Sequence, residues 1–150
     1  MKSGFTLLEL LLTVAIISII GIMSTGFYSR FFLQNAVSNT ADQLTADFRK
    51  AQMYSMTGKY NLTNTTWGVR YDSNTITLFL GSSYATRNTA FDEKFTVHPS
   101  VTVNGFTEIV FAKTTGLPTG GDPSNTPTIV ISGGNTSKTI TLNAQGVASR

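Results

Sequence analysis

Cysteine is absent from the 150-residue chain, which excludes disulfide bonds, thiolate zinc sites and thiol catalysis. Charge is also scarce, since Asp, Glu, Lys and Arg together make up 13% of the residues and the net charge is +3. The basic residues form no run longer than Arg49-Lys50, so their number is weak evidence for nucleic-acid binding. Apolar residues make up 41%, which is enough to build the packed core of one domain with an appendage.

Histidine occurs once, as His98 before a proline, where a turn residue is a better interpretation than a base or ligand. Asp92-Glu93 is a candidate for cation binding, but a solvated turn is the simpler interpretation. Gly120-Gly121-Asp122 lacks the spacing of a calcium loop. No Ser/His/Asp order, phosphate loop or zinc pattern occurs. We therefore predict no enzymatic activity, no metal and no cofactor.

The first half of the chain contains no proline, so nothing forces an early helix to break. No charged residue lies between Glu9 and Arg30, and a helix of that length rises about 30 Å, enough to cross the core of a bilayer. Gly21 and Gly26 interrupt the apolar run and are candidate sites of local unwinding. This pattern predicts a membrane span over residues 5–29.

Apolar residues then recur at spacings of three and four, which predicts one buried stripe of an amphipathic helix. Gly58 suits the position just beyond the end of that helix. We predict a single helix from about Thr6 to about Thr57, whose second half, residues 30–57, lies against an apolar surface. The stripe consists of Leu33, Val37, Ala41, Leu44, Phe48 and Ala51.

Residues 58–150 are rich in Thr, Ser, Asn and Gly, which is typical of short strands joined by tight turns. Asn104-Gly105 predicts a hairpin, and residues 114–127 predict a long loop. The predicted fold class is α+β: one long N-terminal helix packed on a mostly antiparallel, β-rich head. The alternation of apolar and polar residues predicts strands at 67–71, 76–80, 95–97, 101–103, 106–111, 128–132 and 138–143.

The N-terminal sequence KSGFTLLELLLTVAIISIIGIM resembles the leader and first helix of type IV pilins and type II secretion pseudopilins. A short basic leader ends in Gly4, Phe5 follows, and Glu9 lies at the start of the apolar run. An ordinary signal peptide has a shorter apolar core and a small-residue cleavage site, and a plain anchor does not account for Gly4-Phe5. The resemblance implies a pilin-like fold, cleavage between Gly4 and Phe5, and methylation of the new N-terminus at Phe5.

Glu9 is the misfit in this segment, because a charge at the centre of a transmembrane helix costs about 3 kcal/mol, and less near the interface. The resemblance implies that Glu9 faces the N-terminal ammonium of Phe5 in a neighbouring subunit. Such a pair sets the axial register of a filament, because a mismatched stagger leaves both charges unpaired.

The resemblance also implies partners and a location. The partners are a prepilin peptidase/methyltransferase, other pilin or pseudopilin subunits, and an assembly platform in the cytoplasmic (inner) membrane. The precursor is expected in that membrane with its head outside, and the assembled filament in the periplasm or at the cell surface. The chain accordingly divides into a leader (1–4), a transmembrane and filament-core helix (5–29), an amphipathic helix half (30–57) and a head (58–150).

Short segments of the head resemble the H-type minor pseudopilins of type II secretion and the related minor fimbrial pilins. They comprise Arg49, Ala51 and Gln52, then Trp67-Gly68-Val69, then Ile109 and Phe111, and finally Gly146.

Two alternatives remain open. A minor pilin at a filament tip would capture DNA or a surface, whereas a membrane-tethered enzyme would need a pocket of convergent titratable groups. For DNA, scattered solubilising charge is the simpler interpretation of the basic residues. Asn61, Asn64 and Asn135 begin glycosylation sequons, which a sequence rich in Asn and Thr contains by chance. The candidate DNA contacts are Arg70, Arg87, Lys113, Lys138 and Arg150, and the aromatic residues Trp67, Tyr71 and Phe79 are interpreted as core rather than as a stacking platform.

Overall fold

The computed structural model describes residues 4–60, 66–119 and 127–149. A single helix, α1, spans Leu7–Thr57, and the strands of the described residues form two antiparallel sheets. The predicted α+β fold is therefore confirmed. The strands are β1 Trp67–Asp72, β2 Thr75–Leu80, β3 Asn88–Thr96, β4 Thr102–Asn104, β5 Glu108–Phe111, β6 Pro118–Thr119, β7 Thr128–Gly133, β8 Thr136–Leu142 and β9 Ala148–Ser149, with a 3-10 turn at Tyr84–Thr86.

The chain divides into two compact units, Met1–Phe32 and Leu33–Arg150. The first unit contains the N-terminal part of α1. The second contains the C-terminal part of α1 and both sheets, and it holds the hydrophobic core. The sheets have the strand orders β3-β2-β1-β5-β6 and β4-β7-β8-β9.

Local hydrogen bonds define both ends of α1. At the start, the backbone N–H of Glu9 donates to Thr6 Oγ1 at 3.3 Å, so Thr6 caps the helix instead of beginning it. At the end, Gly58 has a φ of +62°, and the Lys59 N–H donates to the Tyr54 carbonyl at 3.1 Å. This is the Schellman arrangement, which satisfies a carbonyl that the last turn leaves open. The predicted terminator Gly58 is confirmed.

The predicted apolar stripe packs against both sheets. Leu33 is half-buried against the core, and the other five members of the stripe are fully buried. Phe48 contacts Phe106 and Phe111 edge-on, with ring centroids 5.5 and 6.3 Å apart. The helical spacing of apolar residues therefore identified the packed face of α1 correctly.

The predicted hairpin at Asn104-Gly105 is wrong. β4 pairs with β7, with Val103 opposite Ile131, whereas β5 belongs to the other sheet. Gly105 has a φ of +100°, and a Cβ there would overlap the Thr128 carbonyl oxygen. The glycine is thus needed where the chain passes from one sheet to the other. The dipeptide Asn104-Gly105 alone does not distinguish this passage from a hairpin turn.

β2 lies between β1 and β3 in its sheet, and other side chains cover both of its faces, so it is buried on both sides. Leu78 and Phe79 are both fully buried, and the Phe79 ring meets Tyr84 edge-on at 5.5 Å. A Cβ on Gly68 of the adjacent strand would lie 2.5 Å from the Phe79 ring, so the glycine makes room for it. In the turn before β2, Ser73 and Asn74 both have positive φ, as in a type I′ hairpin.

Candidate processing and assembly segment

Gly4 and Phe5 precede the helix and are exposed. A Cβ added to Gly4 would meet no atom within 4 Å, and the Phe5 side chain is 72% exposed. The peptide bond between them therefore lies outside regular structure, where a peptidase can reach it. The packing of the described residues therefore does not require a glycine at position 4.

Glu9 lies in the first turn of α1 and is exposed. Thr6-Leu7-Leu8-Glu9 has the spacing of a capping box, in which the threonine oxygen accepts from the backbone of the residue three further on. A negative charge in the first turn also favours the helix dipole, by roughly 0.3–1 kcal/mol. Glu9 therefore supports the start of its own helix. This second role was not predicted from the sequence, although the pattern T-x-x-E indicates it.

The side chains between Glu9 and Ile22 present an almost entirely apolar surface. Two of its polar groups are satisfied within the helix, since the Thr13 hydroxyl donates to the Leu10 carbonyl at 2.8 Å and the Ser18 hydroxyl to the Val14 carbonyl at 2.7 Å. The large apolar side chains from Leu7 to Ile22 are 48–82% exposed: Leu7, Leu8, Leu10, Leu11, Leu12, Val14, Ile16, Ile17, Ile19, Ile20 and Ile22.

The predicted membrane span over residues 5–29 is not confirmed. In the part of the chain that the structure describes, no helix has both the length and the apolar character needed to cross a membrane.

α1 continues without a break through Gly21 and Gly26. A Cβ added to Gly21 would also find open space. Neither glycine is a site of unwinding in this structure.

Asp47 is a buried acid on the packed side of α1, with 3% of its surface exposed. Gln43 Nε2 donates to its Oδ1 at 2.9 Å. Burial raises the pKa of the Asp47 carboxyl from 3.8 to about 6; the hydrogen bond from Gln43 and the charge of Lys50 oppose this rise, and Glu93 adds slightly to it. Lys50 Nζ and Glu93 Oε2, 2.9 Å apart, join α1 to β3 beside it.

Asp47 was not among the residues predicted from the sequence. Its position follows Leu44 by three residues and precedes Ala51 by four, so helical spacing alone places it on the buried stripe.

The head segments that resemble minor pseudopilins meet around Gln52 near the C-terminal end of α1. Gln52 Nε2 donates to the Gly116 carbonyl at 3.1 Å and to the Gln145 carbonyl at 2.7 Å. Gly146 has a φ of +79°, and a Cβ there would lie 2.9 Å from Gln52 Nε2 and 3.0 Å from the Phe111 ring. One side chain thus ties two separate loops to the helix.

The segments at Trp67-Gly68-Val69 and at Ile109 and Phe111 lie on the paired strands β1 and β5, beside this contact. Trp67 pairs with Phe111 and Val69 with Ile109 in the register of β1 and β5, and Ala51 is fully buried beneath the sheets. These residues therefore support the fold.

Replacement of Gln52 by alanine is expected to destabilise the head by about 1–3 kcal/mol, because two carbonyls lose their donor. Urea unfolding followed by tryptophan fluorescence measures this effect. Gln34→Ala is the matched control, since it makes the same change at an exposed position of the same helix and should alter stability by less than about 0.5 kcal/mol. Equal effects of the two changes would show that the contacts of Gln52 carry no stability.

Two of the candidate DNA-contacting residues, Arg70 and Arg87, meet at the ring of Tyr84, with guanidinium carbons 4.6 and 3.6 Å from its centroid. Arg70 pairs with Glu108 at 3.4 Å, and Arg87 Nε pairs with Asp92 at 3.0 Å. Their charges are therefore opposed by carboxylates. The solvated turn predicted at Asp92-Glu93 is wrong, because both residues belong to β3 and the Asp92 side chain is 5% exposed.

The other candidate residues lie apart in the chain's topology. Lys113 follows β5, Lys138 belongs to β8 in the second sheet, and Arg150 lies outside the described residues. The segment Gly120-Gly121-Asp122 and the sequon residues Asn61 and Asn64 also lie outside the described residues. His98 is a turn residue as predicted: its Nδ1 accepts from the Ser100 N–H at 3.2 Å. Trp67 and Phe79 belong to the buried residues and Tyr71 is partly buried, as predicted.

Residues 1–25 match the family model of the prokaryotic N-terminal methylation motif. No curated protein and no solved structure matches the chain. The matched residues include Gly4, Phe5 and Glu9. The motif supports a type IV pilin-like precursor that a prepilin peptidase processes and that assembles with other pilin subunits.

Proposed function

We propose that the chain is a structural subunit of a type IV pilus or a type II secretion pseudopilus. The observation that carries this proposal is the methylation motif over residues 1–25, in which the exposed Gly4–Phe5 bond directly precedes a capped helix. Most of the large apolar side chains that follow are more than half exposed in the structure. Packing of this surface against copies of the same helix would remove it from water and hold a filament together.

In this proposal the precursor is anchored in the cytoplasmic membrane with its head outside. A prepilin peptidase cleaves after Gly4, Phe5 becomes the methylated N-terminus, and an assembly platform transfers the subunit into the filament. Glu9 then pairs with the ammonium of Phe5 in a neighbouring subunit. The chain is a structural part of the filament, and the assembly machinery supplies the mechanical work of assembly.

Within this class we favour an H-type minor pseudopilin or a related minor pilin. The support is that the segments that carry this resemblance, around Gln52, Trp67, Phe111 and Gly146, lie together near the C-terminal end of α1. We do not propose DNA capture as a second function, because Arg70 and Arg87 are engaged with carboxylates.

Mass spectrometry of the protein purified from cells that contain a prepilin peptidase tests the proposal. We expect a chain that lacks residues 1–4 and carries one added methyl group on Phe5. Gly4→Val should remain uncleaved. Because a Cβ at Gly4 or at Gly21 meets open space, Gly21→Ala is the matched control and should be processed normally. An unprocessed wild-type chain would contradict the proposal.

A further inference from the structure

The ammonium of Lys59 lies among three aromatic rings just beyond the end of α1. Its Nζ is 3.5 Å from the ring centroid of Tyr54, 5.1 Å from that of Tyr60 and 5.9 Å from that of Trp67. A cation within about 6 Å of an aromatic face is attracted by the negative potential of the ring. The three rings therefore form a cation-binding cage, which in this structure holds a cation of the same chain.

The walls of the cage are positioned independently of the Lys59 side chain. The backbone of Tyr54 and Lys59 is held by the Schellman hydrogen bond at the helix end. The Trp67 N–H donates to Ser55 Oγ at 2.9 Å, and the Tyr54 and Trp67 rings meet edge-on at 5.0 Å. Removal of the lysine side chain would consequently leave the rings in place.

Tyr60 completes the cage at a conformational cost. Its φ is +74°, in the left-handed region that bulky residues rarely adopt. The Tyr60 ring lies 4.6 Å from that of Phe91 and 6.0 Å from that of Trp67. These contacts hold the ring over the cage although the backbone is strained, which is a pattern found at binding sites.

Among the described residues, the cage has one buried wall and one exposed wall. Trp67 is 1% exposed, and its indole Nε1 has no hydrogen-bond partner in the described part of the chain, whereas Tyr60 is 50% exposed. A ligand that displaces the Lys59 side chain along Tyr60 would meet the face of the tryptophan, which is the best of the aromatic residues for binding cations.

We propose that Tyr54, Tyr60 and Trp67 form a recognition site for a methylated ammonium group of the choline type, which displaces Lys59. A primary ammonium is compact and strongly hydrated. A trimethylammonium group places methyl groups against all three ring faces and loses less hydration, as in other aromatic cages. Lys59 acts as a tethered competitor, so the affinity is reduced by the fraction of molecules in which the cage is already filled. This inference is independent of the proposed function.

The protein carries its own probe, because Trp67 is its single tryptophan. The full-length chain in a non-ionic detergent is titrated with choline at constant ionic strength, and the fluorescence of Trp67 is followed. If Lys59 fills the cage in nine molecules of ten, Lys59→Ala should bind choline about tenfold more tightly than the wild type. Lys113→Ala removes an exposed lysine elsewhere and should bind like the wild type.

A second variant tests whether the exposed wall of the cage is needed for binding. Tyr60→Leu in the Lys59→Ala background changes a half-exposed side chain, so the fold should persist while the tightened binding is lost. The proposal is overturned if Lys59→Ala shows no gain in choline affinity, or if the Tyr60→Leu variant retains that gain. Titration with phosphocholine then identifies the source: tighter binding than choline indicates a phospholipid head group, and weaker binding indicates a free amine.

Discussion

Glu9→Gln is expected to abolish filament assembly while leaving the start of α1 intact. Glutamine is as suitable as glutamate at this position of a capping box, so the contact with Thr6 should survive. In the proposed filament, the loss of charge would leave the ammonium of Phe5 in a neighbouring subunit without a partner in apolar surroundings. That would cost about 3–5 kcal/mol, far more than the helix-dipole contribution of about 0.3–1 kcal/mol. Filaments recovered from cells and counted by electron microscopy measure the result.

Thr6→Ala is the complementary variant for this experiment. It removes the oxygen that accepts from the Glu9 N–H, at a cost of about 1 kcal/mol to the helix start, but retains the carboxylate. We expect this variant to be processed and to assemble. Filaments formed normally by Glu9→Gln but not by Thr6→Ala would show that Glu9 acts as a helix cap and that no intersubunit charge pair is needed.

Asp47→Asn is expected to stabilise the head by about 1–3 kcal/mol at neutral pH. Burial raises the pKa of Asp47 to about 6, so the folded protein must hold a charge there that it solvates poorly above that pH. A pKa shift from 3.8 to about 6 corresponds to a free-energy cost of about 3 kcal/mol for holding the charged carboxylate in the folded state. Asparagine retains the acceptor for Gln43 without the charge, although its new amide donor reduces the gain.

The pH dependence tests the cause of that gain. Between the unfolded pKa of 3.8 and the folded pKa of about 6, the folded state binds more protons than the unfolded state. The wild type therefore loses stability as pH rises through this window, and the two proteins should be equally stable below it. Urea unfolding across this range measures the difference between them. Asp72→Asn changes an acid with a 57% exposed side chain and should show little of this effect; a gain for Asp47→Asn that is independent of pH would exclude desolvation as the cause.

Local features of the fold were predictable because their causes lie within a few residues. The stripe from Val37 to Ala51 follows from the helical repeat, and Gly58 ends the helix because it adopts a positive φ that other residues avoid. The turn before β2 is equally local. The hairpin at Asn104-Gly105 failed for the opposite reason: the glycine is required by the carbonyl of Thr128, which is distant in sequence.

Buried polar residues could be predicted only in part. Asp47 lies on a stripe that the sequence displays, but the degree of burial that raises its pKa depends on the sheets that cover it. The burial of Asp92 was not predictable, since its partner Arg87 reaches it from the loop that precedes β3. The cage around Lys59 combines the end of α1 with the first residue of β1, and no sequence spacing indicates that they meet.

By itself, the amino-acid sequence determined that residues 1–25 carry the N-terminal methylation motif, that the first part of the chain is an apolar and then amphipathic helix, and that a β-rich head follows it. Composition and short-range periodicity suffice for such features, because they depend on backbone geometry and on which side chains avoid water. Only the tertiary structure decided which strands pair, which loops Gln52 joins, and which rings surround Lys59. Those contacts join residues far apart in sequence, and their energies depend on the arrangement of the whole head.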